Sequence, residues 1–439
     1  MAKLHASEIS YSFGTKGAGM IAYSGLLLYF MTGLTVDGLN VIVPGFAAIK
    51  GWNADQLLSI STPAGIIALA LASLWALVVK RIGAKNATTL GLALAAASTA
   101  AFALSVNVWM YAVTETLMVT FINCFAMIGG FTMIANWFPR KKGIVLGFAT
   151  MGMNIASATI PVLLTVFSRV VTSNPDGDVT HALFIFAAIL AVVGVFNHGV
   201  VKDNPEAAGA FPDNEPEEKG VIEAPSLTGD QAGLTYWQAL RTPKILALGL
   251  VYGLSGMATV GIMSQIIVYL TSNRGFTQAG AISTLSLAAV IGVFGSWAFG
   301  VVDQRWGTKL ATQCFGVWMA LAIVALITPG QGFLYLAVFM VGMGIGGNGN
   351  FAPSMTAQVC GRHDFPSAYA VVLALSGIVR SAAFVVLAAV RSATGSADLA
   401  YILFACVSVS ATVVVSLIRV RGQEEPLTAI SVSGKESQN

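Results

Sequence analysis

The sequence predicts an all-α membrane protein with twelve transmembrane helices arranged as two pseudo-symmetric six-helix bundles. Three observations predict it. The first is composition. The 439 residues are 56% hydrophobic and only 10% charged, with mean hydropathy +0.77. Soluble domains carry about 25% charged residues, so this chain has too little polar surface to cover itself in water. The second is length: runs of about 20 apolar residues, enough to cross a bilayer, recur twelve times. The third is the placement of basic residues at alternate ends of those runs.

The runs cover 18–47, 54–79, 87–106, 108–137, 143–170 and 180–200, then 244–272, 278–303, 308–328, 332–359, 366–391 and 397–419. Between the sixth and seventh lies one long polar segment that includes DNPEAAGAFPDNEPEEKG. Rich in Asp, Glu, Pro and Gly, it reads as a linker without a core of its own. The predicted organisation is a first bundle over 1–200, a cytoplasmic central loop over 201–243, a second bundle over 244–421 and a cytoplasmic tail over 422–439. The opening MAKLHASEISYSFGTKGAG is polar and lacks the apolar stretch of a cleaved leader, so the first span itself is expected to target the chain.

Charge sets the orientation. With the N-terminus inside, eighteen of the 23 Lys and Arg fall at inner ends. Lys50, Arg169, Arg274 and Arg391 fall at outer ends, and Arg380 is left over inside a span. Such an excess follows the positive-inside rule. The expected location is a bacterial cytoplasmic (inner) membrane, with both termini cytoplasmic.

The halves repeat one another. Ala76-x3-Lys80-Arg81-x-Gly83-x-Lys85 follows span two, and Gly300-x3-Gln304-Arg305-x-Gly307-x-Lys309 follows span eight, 224 residues on. Gly152 and Gly377 stand 225 apart. Duplicated halves are a mark of secondary transporters, with substrate bound near the midplane between them.

The basic, glycine-containing turn resembles the signature of the major facilitator superfamily. Both copies depart from it at the usual acid, which is Lys80 in one and Gln304 in the other. Asp303 stands one residue earlier in the second copy, and the first has no replacement nearby. NWFPRKKGIVLGFATMG (136–152), PEAAGAFPDN (205–214) and YWQALRTPK (236–244) resemble the oxalate/formate antiporter and monocarboxylate transporter branch. The resemblance implies alternating access, with spans one, four, seven and ten facing a central cavity and spans five, eight and eleven completing it. It also implies that Arg81, Gly83, Arg305 and Gly307 belong to gating loops.

Polar groups at depth are the candidate site. A charge at the bilayer centre costs about 2.5–3.5 kcal/mol on insertion scales. Arg380 lies roughly 21 Å beyond Pro366 and roughly 17 Å before Arg391 at helical rise, too deep to reach either surface. Its planar fork suits a substrate carboxylate; an internal ion pair with an acid is the alternative. Asp37 in span one and Glu115 in span four are the carboxylates at depth, and both are candidate proton-coupling groups. Asp37 is also the candidate partner of Arg380 in an empty site, and helix packing beside Gly38 is its plainer reading. Asn40, Asn123, Asn154, Tyr252, Gln265, Asn348 and Asn350 complete the expected substrate contacts. The GMGIGGNGNFAP stretch in span ten is expected to bend and to gate or touch substrate, against simple close packing of small residues.

Other features weigh little. Cys124, Cys314, Cys360 and Cys406 form no CxxC pair and read as buried structural thiols. His181 and His198 sit at span ends. The glycines of span ten lack the spacing and the preceding strand of a nucleotide-binding turn, so no cofactor, metal or nucleic acid is expected, nor is an enzyme activity.

Substrate charge follows from counting cations. The oxalate-carrying members of the resembled branch use two, in spans eight and eleven. Span eight here has none; Ser283, Thr284 and Ser286 cannot replace it. Span one carries Asp37 where mammalian monocarboxylate carriers have a lysine. The sequence therefore predicts a monomeric secondary transporter of organic monocarboxylates, coupled to protons. The alternatives are an oxalate/formate-type exchanger, a carrier of larger aromatic or bile-acid-like carboxylates, or a non-transporting sensor. Expected partners are a small organic carboxylate, a proton or exchanged anion, and the bilayer.

Overall fold

The structure is a computed structural model that describes residues 11–170, 177–215, 233–394 and 397–417. All regular elements among the described residues are helical. Among the described residues, eleven stretches are long and apolar enough to cross a membrane, and one of them, Gln331–Thr394, spans 64 residues. That stretch doubles back at Gly361, whose φ of 72° and ψ of 173° break the helix, so it holds spans ten and eleven. Twelve passes result, as the sequence predicts. Large aliphatic side chains face outward, with Val195 76% and Val385 70% exposed, the surface expected against lipid.

Local chemistry starts and stops the helices. Asn53 accepts from the N–H groups of Asp55 and Gln56 at the head of span two (Ala54–Ser73). Asn107, Asp178 and Thr277 cap spans four (Val108–Trp137), six (Val179–Val200) and eight (Gln278–Trp306) in the same way, each relieving an orphan donor. Gly275 closes span seven (Pro243–Arg274) in the left-handed region.

The two copies of the basic turn share one backbone conformation. Gly83 has φ 81° and ψ 163°; Gly307 has φ 84° and ψ 153°. Only glycine visits that region readily. Gly83 turns span two into span three within Trp75–Ala103, and Gly307 turns span eight into span nine (Thr308–Ile327). The other proposed repeat pair has diverged in role. Gly152 lies against the Gly25 carbonyl inside the first half, whereas Gly377 lies against Leu69 across the halves.

The segment after span six corrects the linker expectation. Residues 201–215 fold back onto the basic end of the first half through two short 3-10 turns, Glu206–Ala208 and Pro212–Asn214. Asp213 is buried and accepts from the N–H groups of Arg140 and Lys141 at 3.0 and 2.8 Å. Burial raises its carboxyl above the ordinary carboxylate value, against the opposing pull of those donors. Lys141 Nζ pairs with Glu215 at 2.9 Å. A second part of the loop, Tyr236–Ala239, is a helical turn with a Thr235–Gln238 capping box. The cysteines also differ from expectation: Cys124 and Cys360 are buried, but Cys314 and Cys406 sit exposed on helix surfaces, and all four are free.

Candidate functional site

The halves meet chiefly along spans five (Lys142–Val170) and eight, from the basic end to the midplane. A Cβ on Gly143 would stand 2.8 Å from the Gln304 nitrogen, and one on Gly147 2.9 Å from the Gly300 Cα. Small residues let two backbones approach this closely. At mid-depth the glycines give way to a buried polar knot. Asn154 Nδ2 donates to Ser296 Oγ at 3.0 Å, and Ser296 Oγ donates to the Gly346 carbonyl at 3.0 Å. Thr150 Oγ1 donates to Asn350 Oδ1 at 2.5 Å, and Asn350 Nδ2 donates to the Ser296 carbonyl at 2.9 Å.

This knot places two predicted substrate contacts elsewhere. Asn154 and Asn350 are buried at 5% and 0% exposure and spend their amides on the joint between halves. Ser296 is the member that sequence reasoning missed; a serine in an apolar span carries no pattern of its own. The glycines of span ten pack likewise. Cβ positions on Gly342 and Gly346 run into the Ala288 and Gly292 carbonyls of span eight at 2.7 and 2.0 Å. The helical pattern is interrupted here, ending at Asn348 and resuming at Phe351, with Gly349 still in the right-handed region.

Arg380 stands apart from the knot. It is half-buried and makes no ion pair or hydrogen bond with any described residue. Spans seven, ten and eleven converge on it. A Cβ at Gly256 would lie 3.7 Å from the Arg380 Cβ and Cδ and 3.8 Å from Asn348 Oδ1. Asn348 thus stands beside Arg380, and its amide is uncommitted among the described residues. Tyr369, which sequence reasoning passed over inside an apolar run, lies within electrostatic reach of the guanidinium.

The expected pairing of Asp37 with Arg380 is not formed. Ser157 Oγ of span five donates to Asp37 Oδ2 at 2.7 Å. Asp37 ends a π-helical segment, Gly33–Asp37, that interrupts span one, and span four carries a second, Cys124–Gly130. Such segments gather at functional sites. Asn40 is exposed and donates to the Asp37 carbonyl at 3.1 Å. Asn123, at the head of the second π segment, is buried and donates to the Val119 carbonyl at 2.8 Å. Glu115 is sealed at 1% exposure; Ser61 Oγ donates to its Oε1 at 2.6 Å, and its Oε2 has no partner among the described residues. Tyr252 is 8% exposed and shares a 3.3 Å contact with Thr312 of span nine, a packing position within the second half. The Gln265 side chain lies outside the described residues.

At the basic end, Gln304 reaches across the halves. Its Nε2 donates to the Arg140 carbonyl at 3.0 Å and its Oε1 accepts from the Ile144 N–H at 3.4 Å. Arg81 and Arg305 are exposed there.

Two helical halves joined by a buried polar knot, with an Arg380 side chain at depth in the second half and no acid beside it among the described residues, make up a multi-pass helical membrane protein. The chain matches the Major Facilitator Superfamily model over residues 25–384 and belongs to that family. Its members are transporters and not enzymes, and the chain is a multi-pass integral membrane protein. Three solved structures share the fold. The human organic anion transporter MFSD10 (TETRAN) is 14% identical at TM-score 0.65, over 90% of this chain and 97% of that one. A structure of the E. coli fucose:proton symporter FucP is 14% identical at TM-score 0.66, over 92% and 98%. The proton:xylose symporter XylE is 13% identical at TM-score 0.67, over 91% and 95%. No curated protein matches.

Proposed function

We propose that this protein is a secondary active transporter of organic monocarboxylates, driven by protons. The observation that carries the reading is Arg380: a guanidinium at depth, between three converging spans, with no protein acceptor among the described residues. A charge so placed is costly until an anion or water reaches it, and its fork suits one carboxylate. The expected substrate charge follows from the absence of any Lys or Arg within the apolar part of span eight. A dicarboxylate would bring a second negative charge with no cation to meet it.

Asp37 and Glu115 are the proposed proton carriers. Asp37 lies in the π segment of a cavity-lining span and is held by a neutral serine, not by a cation. With the basic end cytoplasmic, the tight seam of spans five and eight closes the inner side and the substrate enters from outside. One fold relative is an organic anion transporter and two are proton symporters, which agrees with the reading without fixing it.

The test is binding and flux in proteoliposomes. Arg380→Ala should abolish carboxylate binding with expression intact, and Arg380→Lys should lose most of it, because a point charge cannot make the two-pronged contact. Wild-type affinity in either variant would sink the assignment. Substrate addition should drive proton uptake that Asp37→Asn removes; substrate exchange without proton movement would make the protein an exchanger instead.

A further inference from the structure

Below Arg380 on the same helix stands a second uncommitted group. Tyr369 precedes it by eleven residues, about three helical turns, so both fall on one face of span eleven. The phenol ring is fixed from both sides. Phe365 stacks on it with centroids 5.1 Å apart and planes 6° apart, and Phe131 of the first half meets its edge at 5.5 Å. The residue is 2% exposed, yet its hydroxyl has no hydrogen-bond partner among the described residues. Buried tyrosine hydroxyls ordinarily find one. Unlike the Tyr111 hydroxyl, the Tyr369 oxygen is not completely sealed.

We infer that Tyr369 is a specificity-determining residue that hydrogen-bonds an uncharged polar group of the substrate, so that the preferred substrate is a hydroxy- or oxo-carboxylate and not a plain aliphatic acid. The inference rests on the assignment of Arg380 as the carboxylate anchor. Once the site closes, a plain chain would leave the hydroxyl dry and unpaired. Sites built to hydrogen-bond a substrate group discriminate strongly against analogues that lack it. A second carboxylate in that place would again lack a cation. The rigid aromatic clamp gives the hydroxyl a fixed position, and Phe131 ties that position to the opposite half.

The experiment is thermal-shift and equilibrium binding with the full chain in detergent. The probes are sodium salts of short straight-chain carboxylates and their hydroxy and oxo counterparts of equal length, tested on wild type, Tyr369→Phe and Arg380→Ala. Tyr369→Phe keeps the ring and its packing. Wild type should prefer a hydroxy or oxo acid over its plain counterpart by about tenfold or more, Tyr369→Phe should erase that preference while keeping plain-acid affinity, and Arg380→Ala should bind neither. Equal affinity of wild type for both members of every pair, or a preference that survives in Tyr369→Phe, would overturn the tyrosine assignment and leave the arginine one standing. Absence of all carboxylate binding to wild type would overturn both.

Discussion

The two basic turns are built on one backbone with different chemistry. In the second copy, Asp303 lies next to the turn: it is 4% exposed and accepts from Thr308 Oγ1 at 2.6 Å, at the head of span nine. In the first copy, the carboxylate comes from far away. Asp203, on the segment after span six, accepts from the Lys85 N–H at the head of span three and stands against Gly83. Each helix N-terminus receives an acid, which suits its partial positive charge. The replacement that looked missing from the first copy is thus supplied in space. Position was kept and sequence was not.

The copies also differ in what they face across the seam. Gln304 binds the first half through neutral hydrogen bonds. Lys80, its counterpart, faces Asp364 of the second half, with both groups close to Gly233. Asp303 in turn has Lys142 of the first half as its facing cation. In both places the positive charge belongs to the first half and the negative charge to the second.

Three kinds of substitution test how far the two turns differ. The largest effect is expected from alanine at the turn glycines. Both substitutions strain the backbone by about 1–3 kcal/mol. Gly83→Ala should cost more, because its new Cβ would lie 2.8 Å from Asp203 Oδ2, whereas Gly307→Ala meets open space. Thermal unfolding should therefore drop further for Gly83→Ala; equal losses would mean Asp203 does not matter to the turn. A smaller effect, of about 1 kcal/mol because Lys80 is open to solvent, is expected from Lys80→Asp, which sets like charges against each other. Labelling of single cysteines at the basic end should rise in that variant and return to the wild-type level in Lys80→Asp with Asp364→Lys. No recovery in the double variant would deny the pairing. The smallest is Asp203→Asn, which keeps an acceptor oxygen but loses the charge at the span-three N-terminus, about 0.3–1 kcal/mol. A low-salt unfolding series should resolve it, and the loss should shrink as salt rises.

Much of the fold was legible because membrane spans are written in composition and length. The twelve passes, the doubled turn and the depth of Arg380 in its span all follow from the chain alone, whereas the absence of Asp37 beside Arg380 does not. The rest depends on contacts between distant segments. Asp203 stands more than a hundred residues from the turn it completes, so no local pattern reveals it. Asn154 and Asn350 read as cavity residues because a buried amide joined to another helix looks the same in sequence as one awaiting a ligand. Ser296 and Tyr369 were hidden for the opposite reason, being ordinary residues in apolar runs. The π segments were invisible because one extra residue per turn barely alters the apolar pattern around Gly33–Asp37.

The bareness of the seam bears on motion. At Gly147 and Gly300, spans five and eight meet backbone to backbone with no side chain between them. Interlocked side chains must change rotamer before two helices can shift, and these faces have little to unlock. They can tilt and slide like the halves of a plain bearing. The Asn154–Ser296–Asn350 knot then acts as the pin that limits travel, and tilting is cheapest about mid-depth.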